Sequence, residues 1–490
     1  MEKPLLNQKS IVENTAFDSA FYTNLFALPE KVLQFGTGVL LRGLPDYYID
    51  KANKAGIFNG RIAVVKTTSH GEIESFKKQD YLYTHFMVGI IDNKITEETI
   101  INTSISRVLQ ADTEWDIIVE IAKNPNTELI ISNTTEQGLV YQQESILAGV
   151  PHSFPMKLLA LLWARFQTLG NSQEANIVVI PTELIEYNGD LLKKYVLTGA
   201  VYNQLSEDFV AYLNNQVSFC NSLVDRIVPG KPKKDFNSEA VKNFELEDQY
   251  SLMSEPFGLW AIEGNEKVKE CLSFAKVDEG VKIVSDISQF KELKLRLLNA
   301  THILSCGTAI LLKIKTVKDG MKNTEFRPFF DNLLLDIKKA FLIDIDSKII
   351  DDFANSVAQR FENPYIEHYW ESILLNYTTK MKIRAVPLLM NYYKKYGTIS
   401  ETMLQGFVSY FTLSIPSFEK DGNYYTEVEG SQILLSDEFS KSLFDTYQQF
   451  GLEKTIKNHL ANTDFWGVDF STIPHFEERI IAEIRKEETV

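Results

Sequence analysis

A lysine, an asparagine and a histidine, Lys294, Asn299 and His302, sit within the apolar-rich stretch KELKLRLLNATHILSCGTAILL. On an α-helix advancing about 100° per residue they project over an arc of about 140°, so the three can converge on one cleft. Isolated polar side chains in such a setting are costly unless satisfied. A lysine buried there loses part of its preference for the charged form, which lowers its pKa from about 10.4 towards an acid–base range. Lys294 could then exchange a proton with an alcohol while a hydride moves, Asn299 could donate to the developing alkoxide, and His302 could orient the oxygen or the lysine. The plain alternative is a solvated lysine beside a structural asparagine and a satisfied core histidine.

A second pattern could hold the hydride carrier. Gly36-Thr37-Gly38-Val39-Leu40-Leu41-Arg42 falls where an apolar run ends and a helical pattern begins. Glycines let a backbone approach a pyrophosphate, and a helix start offers it unpaired N–H groups. The third glycine of the usual spacing is replaced by Leu41, so Gly36, Gly38 and Arg42 carry the signal. At the end of the next strand, where Asp or Glu commonly holds the ribose, the chain has Lys66-Thr67-Thr68-Ser69. Lys66 could accept a 2′-phosphate, so NAD(H) is expected and NADP(H) stays open. Ser132-Asn133-Thr134-Thr135-Glu136 follows a third strand, and Thr134 and Glu136 could contact the nicotinamide ribose.

The elements that must position these residues are legible as short apolar runs at 31–35 (KVLQF), 61–66 (RIAVVK), 128–132 (ELIIS) and 176–181 (NIVVIP). Such runs suit parallel strands buried on both faces. Helical patterns at 40–55, 113–123 and 154–168 alternate with them, as in strand–helix–strand units. Residues 82–90 and 95–108 are β-patterned around Asp92-Asn93-Lys94, which predicts an antiparallel insertion in the sheet. After Phe290 the patterns at 291–314, 327–342, 347–360, 385–396, 400–413 and 437–450 are all helical. The expected fold is therefore an α/β Rossmann-like dinucleotide-binding domain over 1–288, followed by an all-α substrate and catalytic domain over 289–490, with the cleft between them.

The spacing Lys-x4-Asn-x2-His resembles the signature of the polyol-specific long-chain dehydrogenase family. The stretch VSFCNSLVDRIVP at 217–229 is similar to the family's segment ending V-D-R-I-x-P, and EPFGLW at 255–260 to its E-P-F-x-x-W element. Further similar stretches run along the chain, among them QFGTGVLLR (34–42), SNTTEQG (132–138), PTELIEYNGD (181–190) and RFENPYIEH (360–368). The resemblance implies hydride transfer between NAD(H) and C2 or C3 of an open-chain sugar acid or polyol, without zinc. By the same resemblance Lys294 is the general acid–base group, Asn188 and Asn299 form the oxyanion-stabilising pair, His302 positions the substrate oxygen, and Asp225 joins the cofactor-binding set. Asn188 also reads as a helix N-cap. Some relatives carry a Glu three residues before the lysine as part of a proton path; here Lys291 stands there, with Glu292 next to it.

A sugar-acid carboxylate calls for cations that a neutral polyol does not require. Lys380, Lys382 and Arg384 alternate in TTKMKIR, where the family binds the distal end of its substrate, and Lys380 and Arg384 are the favoured pair. A basic helix start on the surface is the alternative.

The overall balance agrees with a small-molecule role. Among 490 residues, 66 acidic side chains outnumber 50 Lys and Arg, a net charge of −16, which disfavours nucleic acid and anionic membrane surfaces as partners. The apolar run 303–312 is far shorter than the ~20 residues of a membrane span, and the first 16 residues lack a signal-peptide pattern, so a cytoplasmic location is expected. Three separated cysteines suggest neither a disulfide framework nor a zinc cluster. Oligomeric state is not encoded in any of these patterns. A rival reading keeps the fold as a dinucleotide sensor without turnover, but an idle site has no need of a buried lysine.

Overall fold

A computed structural model describes residues 3–68, 73–134, 138–233 and 246–487. The chain forms two compact units, Met1–Ile287 and Ser288–Val490.

The first unit is built on β1 (Glu30–Phe35), β2 (Arg61–Lys66), β3 (Tyr83–Ile91), β4 (Lys94–Asn102), β5 (Ile105–Gln110), β6 (Leu129–Ser132), β7 (Ile177–Pro181) and β8 (Val217–Phe219). Six of them make one sheet in the order β5-β2-β1-β6-β7-β8, every pair parallel. With β3 and β4 set aside, this is the doubly wound order 3-2-1-4-5-6, whose direction reverses between its first and fourth strands. Alternate side chains explain why the runs are continuously apolar: Val32, Leu129 and Ile131 enter one core, while Leu33, Phe35, Ala63 and Ile130 enter the other.

Two expectations change. The β-patterned stretch 95–108 is two strands rather than one. Thr103 donates from N and Oγ1 to Asp50 Oδ1 (2.7 and 2.8 Å), and Ser104 donates from N and Oγ to Asn102 Oδ1 (2.9 and 2.7 Å). These side-chain acceptors end the ladder, and β5 leaves to pair with β2. The antiparallel pair β3–β4 then forms a sheet of its own with Leu252–Ser254 instead of lying within the main sheet. The helical pattern at 40–55 also splits, into Val39–Gly43 and Pro45–Lys54, because Leu44 before Pro45 is forced out of the helical region (φ −131°, ψ −78°).

The second unit is helical around one core that includes Leu297, Ile303, Phe330, Trp370 and Phe407. It also contains a small antiparallel meander of Phe418–Lys420, Asn423–Val428 and Ser431–Leu434, which the helical patterns did not reveal. Its turns, Asp421-Gly422 and Glu429-Gly430, have positive φ throughout, as tight hairpins require. Two helices widen locally into π-turns, at Lys294–Ala300 and at Met381–Ala385. No helix among the described residues is long and apolar enough to cross a membrane.

Candidate active site

In the first unit the loops after β1, β6 and β7 are stitched together at the carboxyl edge of the sheet. Gly36 has φ +125°, and a Cβ there would lie 2.8 Å from the Asn133 carbonyl oxygen, so only glycine fits. A Cβ on Gly38 would meet nothing within 4 Å. Asn133 donates to the carbonyl and hydroxyl of Thr182 (3.1 and 2.9 Å). Thr134 donates from N and Oγ1 to Glu183 Oε1 (2.8 and 3.0 Å). Glu183 is itself buried, and burial raises its pKa against the hydrogen bonds from Thr134 and Ser132. Sequence reasoning missed Glu183, although a carboxylate directly after a buried strand was a usable signal.

Asn188 begins the helix Asn188–Tyr202 and is buried. Its amide donates to the carbonyls of Pro181, Glu183 and Ser222 (3.1, 3.0 and 3.1 Å), and its Oδ1 accepts from the N–H groups of Gly189 and Ser222 (both 2.9 Å). The side chain is saturated by backbone. In this structure the residue expected to donate to an alkoxide is a strut joining three segments.

Lys66 is buried with Nζ bonded to Thr68 O (2.5 Å) and Gln110 Oε1 (3.2 Å). Arg42 donates to Tyr250 O (2.7 Å) and lies over the Tyr83 and Phe76 rings. Glu136 lies outside the described residues. Asp225 closes the strand Ser222–Asp225 beside a residue that pattern reading passed over, Arg226. Arg226 donates to the carbonyls of Gly43 (2.7 Å), Glu255 (3.0 Å), Pro256 (3.0 Å) and Phe257 (3.1 Å) and stacks over Tyr47. The V-D-R-I-x-P and E-P-F-x-x-W stretches are therefore one knot, tied by a single guanidinium to the helix that follows the glycine turn.

In the second unit Lys294 opens the first π-turn and Asn299 lies near its end, both half-buried. Hydrogen bonding from i to i+5 stacks residues five apart, which brings this pair closer to one face than an α-helix would. The Asn299 amide has no hydrogen-bond partner among the described residues. His302 is buried, stacked on Phe361 (centroids 4.1 Å) and edge-on to His368 (5.1 Å). Burial first, then the charges of His368, Arg360 and Arg384, hold its pKa well below the ordinary value, while a hydrogen bond to the Leu298 backbone opposes them. It is neutral at physiological pH, with one ring nitrogen left as an acceptor.

The cations lie at and within the second π-turn, Lys380 just before it and Lys382 and Arg384 inside it. Arg384 is half-buried and makes neither an ion pair nor a side-chain hydrogen bond with any described residue; burial lowers its pKa. Lys380 donates to Ile373 O (2.9 Å) and has a pKa lowered by burial and by Arg384. Lys382 instead lies over the Phe465 ring (4.7 Å). Glu292 is engaged by Arg296 through both oxygens (3.0 and 3.4 Å), which makes it an ion-pair partner rather than an open proton relay. Among the described residues no group of three His, Cys, Asp or Glu side chains is arranged to hold a metal ion.

A doubly wound sheet with a glycine turn at its switch point, joined in one chain to a helical unit carrying a Lys–Asn–His set, defines a dehydrogenase of the dinucleotide-fold class. Residues 30–276 match the mannitol dehydrogenase Rossmann domain and residues 286–486 the mannitol dehydrogenase C-terminal domain, and the chain belongs to the mannitol dehydrogenase family. It is 34% identical to an altronate oxidoreductase of Bacillus subtilis, over 94% of this chain and 93% of that protein. It is 30% identical to an altronate oxidoreductase of Escherichia coli, over 93% and 94%. The fold is shared with a D-sorbitol dehydrogenase (TM-score 0.75, 18% identity, 98% of this chain and 97% of that one). It is also shared with the Pseudomonas fluorescens mannitol 2-dehydrogenase, solved with NAD and D-mannitol (TM-score 0.67, 19% identity, 98% and 97%).

Proposed function

We propose that this chain is an NAD(H)-dependent reductase interconverting D-tagaturonate and D-altronate. The observation that carries the choice of a sugar acid is Arg384. A half-buried guanidinium without an anion is costly, and a substrate carboxylate can meet it bidentately, with Lys380 adding charge. A neutral polyol would leave the cost standing. The full-length likeness to altronate oxidoreductases supports the same substrate.

The residues present fit a dinucleotide. Gly36 adopts a conformation and a close approach that exclude side chains, and the open space before Gly38 leaves the backbone accessible. Gly36, Gly38 and Thr134 are the residues assigned to hold it, with Arg42, Lys66, Glu136 and Asp225 completing the proposed set. When bound, NADH supplies the hydride. The second unit supplies the rest: Arg384 and Lys380 hold the carboxylate, Asn299 donates to the substrate oxygen as negative charge grows there, and Lys294 gives that oxygen its proton. Neutral His302 offers an acceptor that orients a substrate hydroxyl or the lysine. The division at residues 288/289 assigns the cofactor to the first part and the acid–base chemistry to the second.

Initial rates with NADH and NADPH on D-tagaturonate, D-fructuronate and D-fructose test the reading. Preference for tagaturonate with NADH is expected. Preference for fructose sinks the sugar-acid assignment, and preference for fructuronate moves it to the epimeric acid.

A further inference from the structure

The two π-turns meet at one side chain. Arg296 lies inside the first, two residues past Lys294 and three before Asn299, and its side chain is 6% exposed. Nε and Nη2 donate to the two carboxylate oxygens of Glu292, one turn back on the same helix. Nη1 donates to the carbonyls of Ile383 (2.8 Å) and Arg384 (3.1 Å), which belong to the second π-turn.

The second π-turn explains why such a donor is required. Pro387 follows four residues after Ile383. Proline has no N–H to give the carbonyl four residues back, and its ring clashes with that carbonyl. The helix relieves the clash by widening at Met381–Ala385, and the Ile383 oxygen takes its hydrogen bond from Arg296 instead. A buried backbone acceptor left unpaired is costly, so the guanidinium replaces the amide that Pro387 lacks. One planar fork thus fixes the backbone of Arg384, the carboxylate anchor, and the π-turn bearing Lys294 and Asn299.

We infer that Arg296 is a positioning residue that sets the spacing between the acid–base group and the carboxylate anchor, and so the length of sugar acid the site accepts. The inference rests on the proposed function for its substrate class. Glu292 holds the fork in orientation, which gives this carboxylate a role unlike that of a proton relay. A lysine in place of Arg296 keeps the charge but cannot serve two carboxylate oxygens and two carbonyls at once.

The test is a double-mutant cycle of Arg296→Lys with Arg384→Met, measured on whichever keto acid the wild-type chain reduces fastest, with kcat and KM separated. Arg296→Lys is expected to raise KM on the order of tenfold and to relax the preference for a six-carbon over a five-carbon keto acid. Combined with Arg384→Met it should raise KM little further, because the two act through one anchor. Calorimetric Kd for altronate in the presence of NAD should weaken in parallel. If Arg296→Lys does not fold, the pair Glu292→Gln with Arg296→Met removes the ion pair without leaving a charge behind and is read in the same way. Additive effects, or lower thermal stability with unchanged KM and chain-length preference, overturn the inference. Wild-type turnover of fructose alone would instead overturn the sugar-acid reading, and the cycle would then be expected to leave KM for fructose unmoved.

Discussion

Asn188 in the first unit and Asn299 in the second are paired by resemblance as oxyanion donors, yet their surroundings differ in kind. Asn188 is enclosed by backbone, with every donor and acceptor matched. Asn299 is half-buried on a widened helix with its amide unmatched by any described residue. The same contrast separates Arg226, engaged by four carbonyls, from Arg384, whose side chain holds none among the described residues. A saturated polar group maintains the scaffold. An unsatisfied one in a part-buried setting is open to solvent or to a ligand, and these are the groups that the proposed function assigns to the substrate.

Substitutions should divide along this line. The largest effect is expected for Lys294→Ala, a loss of kcat on the order of 10²–10⁴-fold, the usual scale of general acid–base catalysis. NADH affinity, followed by fluorescence, should remain near wild type, and undiminished turnover would remove Lys294 from the chemistry. Next comes Arg384→Met, which should raise KM for a keto acid by about 10–100-fold, the scale of a charge-assisted pair. Its kcat with an uncharged ketose should hardly move, and equal losses on both substrates would break the assignment of Arg384 to the carboxylate.

Asn188→Ala should behave in the opposite sense. It orphans several buried backbone groups at about 1–3 kcal/mol each, so the denaturation midpoint should drop clearly while kcat of the folded enzyme stays close to wild type. A large fall in kcat with an intact midpoint would instead assign this residue the oxyanion role that resemblance gives it.

The smallest effect concerns a scaffold group that is not fully matched. Asp46, fully buried, faces Gln34 of β1 across 3.4 Å, with its Oδ1 and the Gln34 Oε1 both unpartnered. Burial raises its pKa from 3.8 to about 8, with the Asp50 charge adding to this and Gln34 and Arg42 opposing it. The folded state therefore keeps a proton that the unfolded chain releases near pH 4. This contribution to stability is full below pH 4, declines as pH rises, and is lost once pH passes about 8. Asp46→Asn, neutral at all pH, should flatten that decline in melting temperature between pH 4 and 8. An unchanged slope would show that Asp46 is ionised in the fold.

What could be read from the chain follows the same physics. The parallel strands were legible because burial on both faces writes a continuous apolar run, as RIAVVK does. The hairpin was legible from Asp92-Asn93, both with positive φ in the structure. The break at Thr103 was hidden because its cause, Asp50, lies far away in sequence. The π-turns were hidden for a similar reason: Glu292 and Arg296 look like an ordinary i, i+4 pair, and nothing local shows that the arginine also reaches residues 383 and 384. Lys294, Asn299 and Arg384 stood out as chemical types in an apolar or basic context, whereas Asn188 looked equally functional because saturation by backbone leaves no trace in residue identity.

A π-turn is, in accounting of residues, an α-helix with one too many. Everything beyond Ala300 is set back by about 100° relative to an unbroken α-helix, yet Leu293 before the turn and Ile303 and Cys306 beyond it enter the same core. The helix thus presents two frames to one core, and Lys294 and Asn299 occupy the residues where the frames are reconciled. A single codon gained or lost within 294–300 would leave composition and hydropathy almost untouched, yet it would turn either Lys294 or His302 away from its neighbours.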